Sequence, residues 1–205
     1  MTTPLNDSIT LGQAPGTVDE IVRIADGAPV ALEKAALDNM ARVSSRIQRA
    51  IEQGQTIYGL TTGVGDLVTT RLSPDRMTDT QLNMLRSHAC GVGPDLTVRE
   101  VRAMMAVTLK SLLQGYSGVT PALAQRIADM LNRQVTPWSP AGGSVGYLIA
   151  TAHIGLAVFG EGKCWYQGEL LPAQQALTRA GIPPYVPGPR EGHALVGGTY
   201  EITAL

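Results

Sequence analysis

A glycine-rich turn, Ala141-Gly-Gly-Ser-Val-Gly146, runs straight into an almost wholly apolar stretch, Tyr147-Leu-Ile-Ala-Thr-Ala-His-Ile-Gly-Leu-Ala-Val-Phe159. Few folds can accommodate that pairing. Gly142, Gly143 and Gly146 open backbone angles that other residues resist. The stretch behind them has no polar face, so as a helix it must be covered on every side. Such a helix presents unpaired N–H groups and partial positive charge at its tip, where developing negative charge is stabilised. Taken alone, the stretch reads as a tight loop leading into a core helix.

The rest of the chain supplies helices to cover it. Residues 1–30 hold Gly12, Pro15, Gly16, Gly27 and Pro29 and read as an irregular or weakly paired lead-in, with Thr17–Ile24 as a short helix. Leu32, Ala36, Met40, Val43, Ile47 and Ile51 recur at helical steps, with Gly54 as the stop. Thr56–Gly65 is rich in β-branched residues and glycine, which predicts an extended segment entering a loop, with Tyr58 at its start. Ser73-Pro-Asp opens a helix that delivers His88 near its end, ahead of a two-glycine turn at Gly91–Gly93; there a histidine can cap the last carbonyls.

Thr97 and Glu100 form a capping box for the next helix, whose stripe runs through Val101, Met104, Met105, Thr108 and Leu112. Thr120-Pro121 starts another. Lys163–Leu171 suits a hairpin turning at Gln167-Gly168, and 172–180 a short helix. The proline-rich 182–189 holds an extended path to His193, which reads as a satisfied core histidine. The expected class is mainly α with short strands: a lead-in over 1–30 and one domain over 31–205.

Composition narrows the function. Charged residues make up only 16% and hydrophobic ones 44%, a low ratio that points to a homo-oligomer or to a chain cut from something larger. A net charge of -1 without a basic run argues against nucleic acid. Cys90 and Cys164 lack metal-ligand spacing and point to a reducing compartment. The start lacks a signal-peptide pattern, and the longest apolar run is too short for a bilayer. The expectation is a soluble cytoplasmic protein with no membrane, nucleic-acid or metal partner.

Four segments, in order, resemble the aromatic amino acid ammonia-lyase and aminomutase family, the group that includes histidine ammonia-lyase. They are Tyr58-Gly-Leu-Thr-Thr-Gly-Val-Gly65, Leu85-Arg-Ser-His-Ala-Cys-Gly-Val-Gly93, Gly143-Ser-Val-Gly146 with Ala152-His153, and Glu191-Gly-His-Ala-Leu-Val-Gly-Gly-Thr199. The resemblance implies the N-terminal part of an ammonia-lyase-like helical fold with a glycine-rich loop domain. It also implies removal of ammonia from, or a 2,3-amino shift on, an aromatic or imidazole L-amino acid such as histidine. The family's electrophile is 4-methylideneimidazol-5-one, made autocatalytically from an internal Ala-Ser-Gly. Because an amine leaves poorly and a β-proton is weakly acidic, such an electrophile is paired with a tyrosinate-like base. On this resemblance Tyr58 is the acid/base. Ser87 and His88 face the substrate side chain, in the manner of the histidine-type members, and Gly65 and Gly197 sit at the substrate.

Three departures accompany the resemblance. The family continues Gly-Ser-Val-Gly with Ala-Ser-Gly-Asp-Leu, whereas Gly146 here meets Tyr147-Leu148, a gap the length of the cofactor tripeptide. Either a matured group stands between Gly146 and Tyr147, or the deletion is real and the electrophile cannot form. Tyr147 takes the family's aspartate position. Gly197 takes that of an asparagine that helps hold the electrophile. The chain is also under half the family's length, lacking the helices of the tetrameric core. The resemblance therefore implies a homotetramer-forming parent or a complementing C-terminal chain, and the alternative is a non-catalytic or repurposed member that binds a small amino acid or a lyase subunit.

Overall fold

The computed structural model describes residues 7–143 and 148–204. Gly146 and Tyr147, which on the resemblance flank the electrophile and count as catalytic, lie outside the described residues. The lead-in is more regular than its glycines and prolines suggest. Strand β1 (Ile9–Leu11) pairs in parallel with β2 (Val30–Leu32) across helix α1 (Val18–Ala25). A capping box between Thr17 and Glu20 starts α1.

Helix α2 (Lys34–Glu52) follows the predicted period from Ala36 onward, while Leu32, expected on the same stripe, belongs to β2. Ala36 and Met40 are buried, while Val43, Ile47 and Ile51 are half-buried. The segment 56–65, expected to be extended, is instead a tight turn followed by a short 3-10 turn at Gly65–Leu67. The amides of Leu60 and Thr61 donate to Ile57 O at 3.2 and 3.0 Å. The Thr61 hydroxyl accepts from Ile57 N and donates to Gln55 O, each at 2.8 Å. A threonine that satisfies its own local backbone competes with strand pairing, and here it prevails over β-propensity.

Helix α3 (Pro74–His88) leads into β3 (Val92–Asp95), where a free turn was expected. That strand pairs antiparallel with β5 (Pro140–Gly142). Between them come α4 (Val98–Leu112), started by the Thr97–Glu100 box, α5 (Pro121–Asn132), and β4 (Thr136–Pro137). After α6 (Ile149–Val158) the predicted hairpin forms as β6 (Lys163–Tyr166) and β7 (Glu169–Pro172). β4 adds a third strand in the order β4-β6-β7. Helices α7 (Ala173–Arg179), α8 (Glu191–Val196) and α9 (Tyr200–Ala204) complete the chain.

Helix α6 is the centre. Every residue of it is buried except the half-buried His153. α3 and α8 cross it together, and Gly155 allows the approach: a Cβ there would lie 2.6 Å from Leu85 Cδ2 of α3 and 3.2 Å from Leu195 Cβ of α8. Among the described residues, no helix is long and apolar enough to cross a membrane.

Buried arginines tie the other helices together by their C-terminal ends. Arg102 of α4, only 4% exposed, donates from Nη2 to Ile24 O at 2.8 Å and from Nη1 to Leu131 O at 3.0 Å. Those carbonyls close α1 and α5. Each helix end carries roughly half a negative charge, so two ends together offset one guanidinium. Arg126 of α5 does the same for α6 through Val158 O, at 3.0 Å. Arg102→Met removes these charge-assisted donors and leaves Ile24 O and Leu131 O only the amides of Gly27 and Gln134, at 3.1 and 3.3 Å. Urea unfolding should show a loss of about 3 kcal/mol; a loss under about 0.5 kcal/mol would contradict this role.

Candidate functional site

The crossing at Gly155 brings the C-terminal end of α3 beside α8 and the 56–72 loop. Ser87 and His88 occupy the last turn of α3, where carbonyls lack amide partners. Ser87 Oγ donates to Met84 O at 2.8 Å, and His88 Nδ1 lies 2.7 Å from the same oxygen. A carbonyl can only accept, so His88 carries its proton on Nδ1 and, when neutral, presents Nε2 as an acceptor. The expected capping role and a ligand-facing role therefore coexist on one ring.

His88 and Ser87 line a cavity of about 260 Å³ with Met84 and Asn83 of α3 and with Gly63, Val64 and Leu72 of the loop. The cavity is small and chiefly apolar, with the hydroxyls of Thr70, Thr80 and Ser87, the Asn83 amide and one imidazole among its lining residues. That composition suits a flat side chain bearing one or two hydrogen-bonding nitrogens. The outer end of α3 is fixed by Arg86, which pairs with Glu161 just beyond α6, its Nε 2.9 Å from Oε2. The guanidinium holds the Glu161 carboxyl below the usual carboxylate range.

Tyr58 stands apart from this lining, 54% exposed, with its ring edge-on to His193 at a centroid distance of 6.3 Å. Gly59 connects it to the cavity: a Cβ there would meet His193 Nδ1 at 2.9 Å and Val64 Cγ1 at 3.2 Å. Gly65 opens the 3-10 turn and is exposed, and Gly197 is exposed at the end of α8. The structure thus joins Ser87 and His88 with the Gly63–Val64 turn, and Tyr58 with His193. Gly197 caps the end of α8 and is not among the residues that line the cavity.

His193 is the residue that sequence reasoning misjudged. It is half-buried, but its Nδ1 is buried without a hydrogen-bond partner among the described residues, so it is no satisfied core histidine. Its backbone N–H donates to Oε1 of the fully buried Gln81 at 3.0 Å. Burial, and then the charge of Arg190, hold its pKa below the ordinary value. Its position in the Glu191–Thr199 segment was the available signal.

The frame behind α8 is a buried carboxylate. Glu191, 0% exposed, accepts from Thr120 Oγ1 at 2.7 Å, Gly188 N at 2.8 Å and Tyr185 OH at 3.0 Å. These bonds tie the proline-rich path to the N-terminal end of α5, where negative charge is favoured. Among the described residues no group of three His, Cys, Asp or Glu is placed to hold a metal ion.

Comparison with known proteins identifies the family. The profile for aromatic amino acid lyases matches residues 17–205, and the chain belongs to that family. It is 40% identical over 193 residues to histidine ammonia-lyase of Geobacillus thermodenitrificans, covering 92% of this chain and 38% of the relative. It is 46% identical over 160 residues to a probable histidine ammonia-lyase of Thermoplasma acidophilum, covering 77% and 32%. Tyrosine aminomutase from Streptomyces globisporus superposes with a TM-score of 0.91 at 31% identity, over 97% of this chain and 38% of that one. Ergothionase from Treponema denticola gives 0.92 at 27% identity, over 97% and 40%. The chain spans about a third to two fifths of the length of these relatives.

Two histidines make the fold sensitive to acid. His153 accepts Gly91 N–H on Nε2 at 3.2 Å, and burial lowers its pKa from 6.5, as it does for His193. The unfolded chain therefore binds protons first: stability is complete above 6.5 and declines as pH falls from there through the folded-state values. Urea unfolding at about pH 7.5 and about pH 5.5 should show this drop, reduced in His153→Phe and His193→Phe. An undiminished drop in both variants would assign it to other groups.

Proposed function

We propose that this chain is the N-terminal portion of an ammonia-lyase-family protein acting on an aromatic or imidazole L-amino acid, such as histidine. The observation that carries the reading is the cavity closed by Ser87 and His88 against the Gly63–Val64 turn, in a chain whose relatives include named histidine ammonia-lyases. In it, His88 Nε2 accepts a hydrogen bond from a ring N–H of the substrate, and the apolar wall takes the ring faces. Tyr58 serves as the base for the β-proton, and Gly65 and Gly197 border the substrate. The reaction is ammonia elimination or a 2,3-amino shift. The remaining length of the relatives is supplied by a longer parent, which assembles as a homotetramer, or by a complementing C-terminal chain. Two unpaired thiols, Cys90 and the buried Cys164, go with a cytoplasmic, reducing setting.

The family's methylidene-imidazolone does not fit the residues present. Gly143-Ser-Val-Gly-Tyr-Leu148 joins β5 to α6 with no Ala-Ser-Gly run, and none occurs elsewhere in the chain. That observation favours a second reading, a member that binds its amino acid without turning it over.

Two measurements separate these readings. Calorimetric titration with L-histidine should give saturable binding, weakened about tenfold in His88→Phe, the cost of one lost hydrogen bond in a small site. No binding, or equal binding by His88→Phe, would remove the substrate reading. The intact mass then decides turnover. A mass raised by a condensed tripeptide belongs to the lyase, and the 21.6 kDa of the plain sequence belongs to the binding protein.

A further inference from the structure

The Tyr58–Gly59 turn rests directly on the imidazole of His193. A Cβ on Gly59 would stand 2.9 Å from Nδ1 and 3.0 Å from Cε1, and Gly59 itself has φ +64. The Tyr58 and His193 rings meet edge to face, with an interplanar angle of 86°. His193 cannot slide away, because its backbone N–H is tied to Gln81 of α3.

The groups facing this imidazole are few. Arg190 comes from the head of α8, Gln81 from α3, and Tyr58 and Gly59 from the turn. Gln81 accepts the backbone N–H through Oε1 while its own Nε2 is buried without a partner among the described residues, and the Arg190 Nε donates to Ser117 O at 3.1 Å. Nδ1 is left buried with no partner among the described residues. Such an orphan is costly, and folded proteins carry few of them. Burial, and then the Arg190 charge, both disfavour imidazolium. A neutral imidazole still owns one N–H. The exposed Nε2 edge can accept from water, which leaves Nδ1 to carry the proton.

We propose that His193 is the positioning residue for Tyr58 in the working site, its Nδ1–H donating to the phenolic oxygen so that the phenolate is the favoured form. Tyr58 is 54% exposed and its ring centroid stands 6.3 Å from that of His193, so the bond forms when the phenol rotates inward and the Gly59 turn that covers Nδ1 shifts with it. On ionisation the phenolic proton leaves to solvent, the oxygen keeps the electron pair, and an N–H···O⁻ bond forms. No proton passes to His193. A hydrogen bond to the charged form shifts the equilibrium towards that form. The role in turnover rests on the reading of Tyr58 as the base, but the contact itself needs no substrate.

The test is a phenolate absorbance titration of the full chain. Subtracting the curve of Tyr58→Phe isolates Tyr58 from the other tyrosines, and the same subtraction is made in a His193→Phe background. The Tyr58 midpoint should rise by about one pH unit in His193→Phe. His193→Asn places an amide N–H where Nδ1–H stands and should retain the wild-type midpoint, whereas His193→Gln, reaching towards Nε2, should not. Equal midpoints in the wild type and His193→Phe, or in the Asn and Gln variants, would overturn the proposal. Should His193→Phe fail to fold, the Asn and Gln pair decides between these outcomes on its own. Loss of amino-acid binding elsewhere in the cavity leaves these titrations unchanged, so failure of the substrate reading and failure of this one are told apart.

Discussion

Three helices meet at one missing side chain. Gly155 lets α3 and α8 close on α6 until Leu85 and Leu195 touch its backbone, and the site follows from that contact. Ser87 and His88 lie within a turn of Leu85, and His193 lies two residues before Leu195. A methyl group at position 155 would push the two helices apart, since close-packed interiors have no slack to absorb it. The cavity and the imidazole under Tyr58 are thus consequences of how tightly an all-apolar helix is wrapped.

Polar interactions hold the wrapping in place, and they act mainly on helix ends. Arg102 and Arg126 neutralise the C-terminal ends of α1, α5 and α6 with buried guanidinium groups. Glu191 does the reverse at the head of α5, accepting donors from Thr120 and from two residues of the proline-rich path at once. Buried charges survive only when their hydrogen-bonding capacity is used. The two arginines bond only backbone carbonyls and so fix helix directions, whereas Glu191 combines a backbone amide with the hydroxyls of Thr120 and Tyr185. The direction of α8 sets the place of His193.

Much of this was legible in the sequence because it depends on local pattern. The period of Ala36, Met40 and Ile47, the Thr97–Glu100 box and the Gln167-Gly168 hairpin are each decided within a few residues. What was illegible depends on contacts distant in sequence. The parallel pairing of Ile9 with Val30 and the pairing of β3 with β5 need partners that no local pattern names. Thr61 defeated a β-propensity argument by bonding its own backbone. Ser87 and His88 could be placed from a motif, but that both lean on Met84 O needed coordinates. His193 looked like core because its neighbours are apolar; only its orphaned nitrogen, set against Gly59, marks it as part of the site.

Everything turns on where an amino acid sits. A crystal structure of the full chain soaked with L-histidine tests this most directly. The expected result is the imidazole of the ligand between Val64 and Met84, with a ring nitrogen in hydrogen-bond contact with His88 Nε2. Density for the ligand outside that cavity, or an empty cavity at saturating concentration, would contradict it.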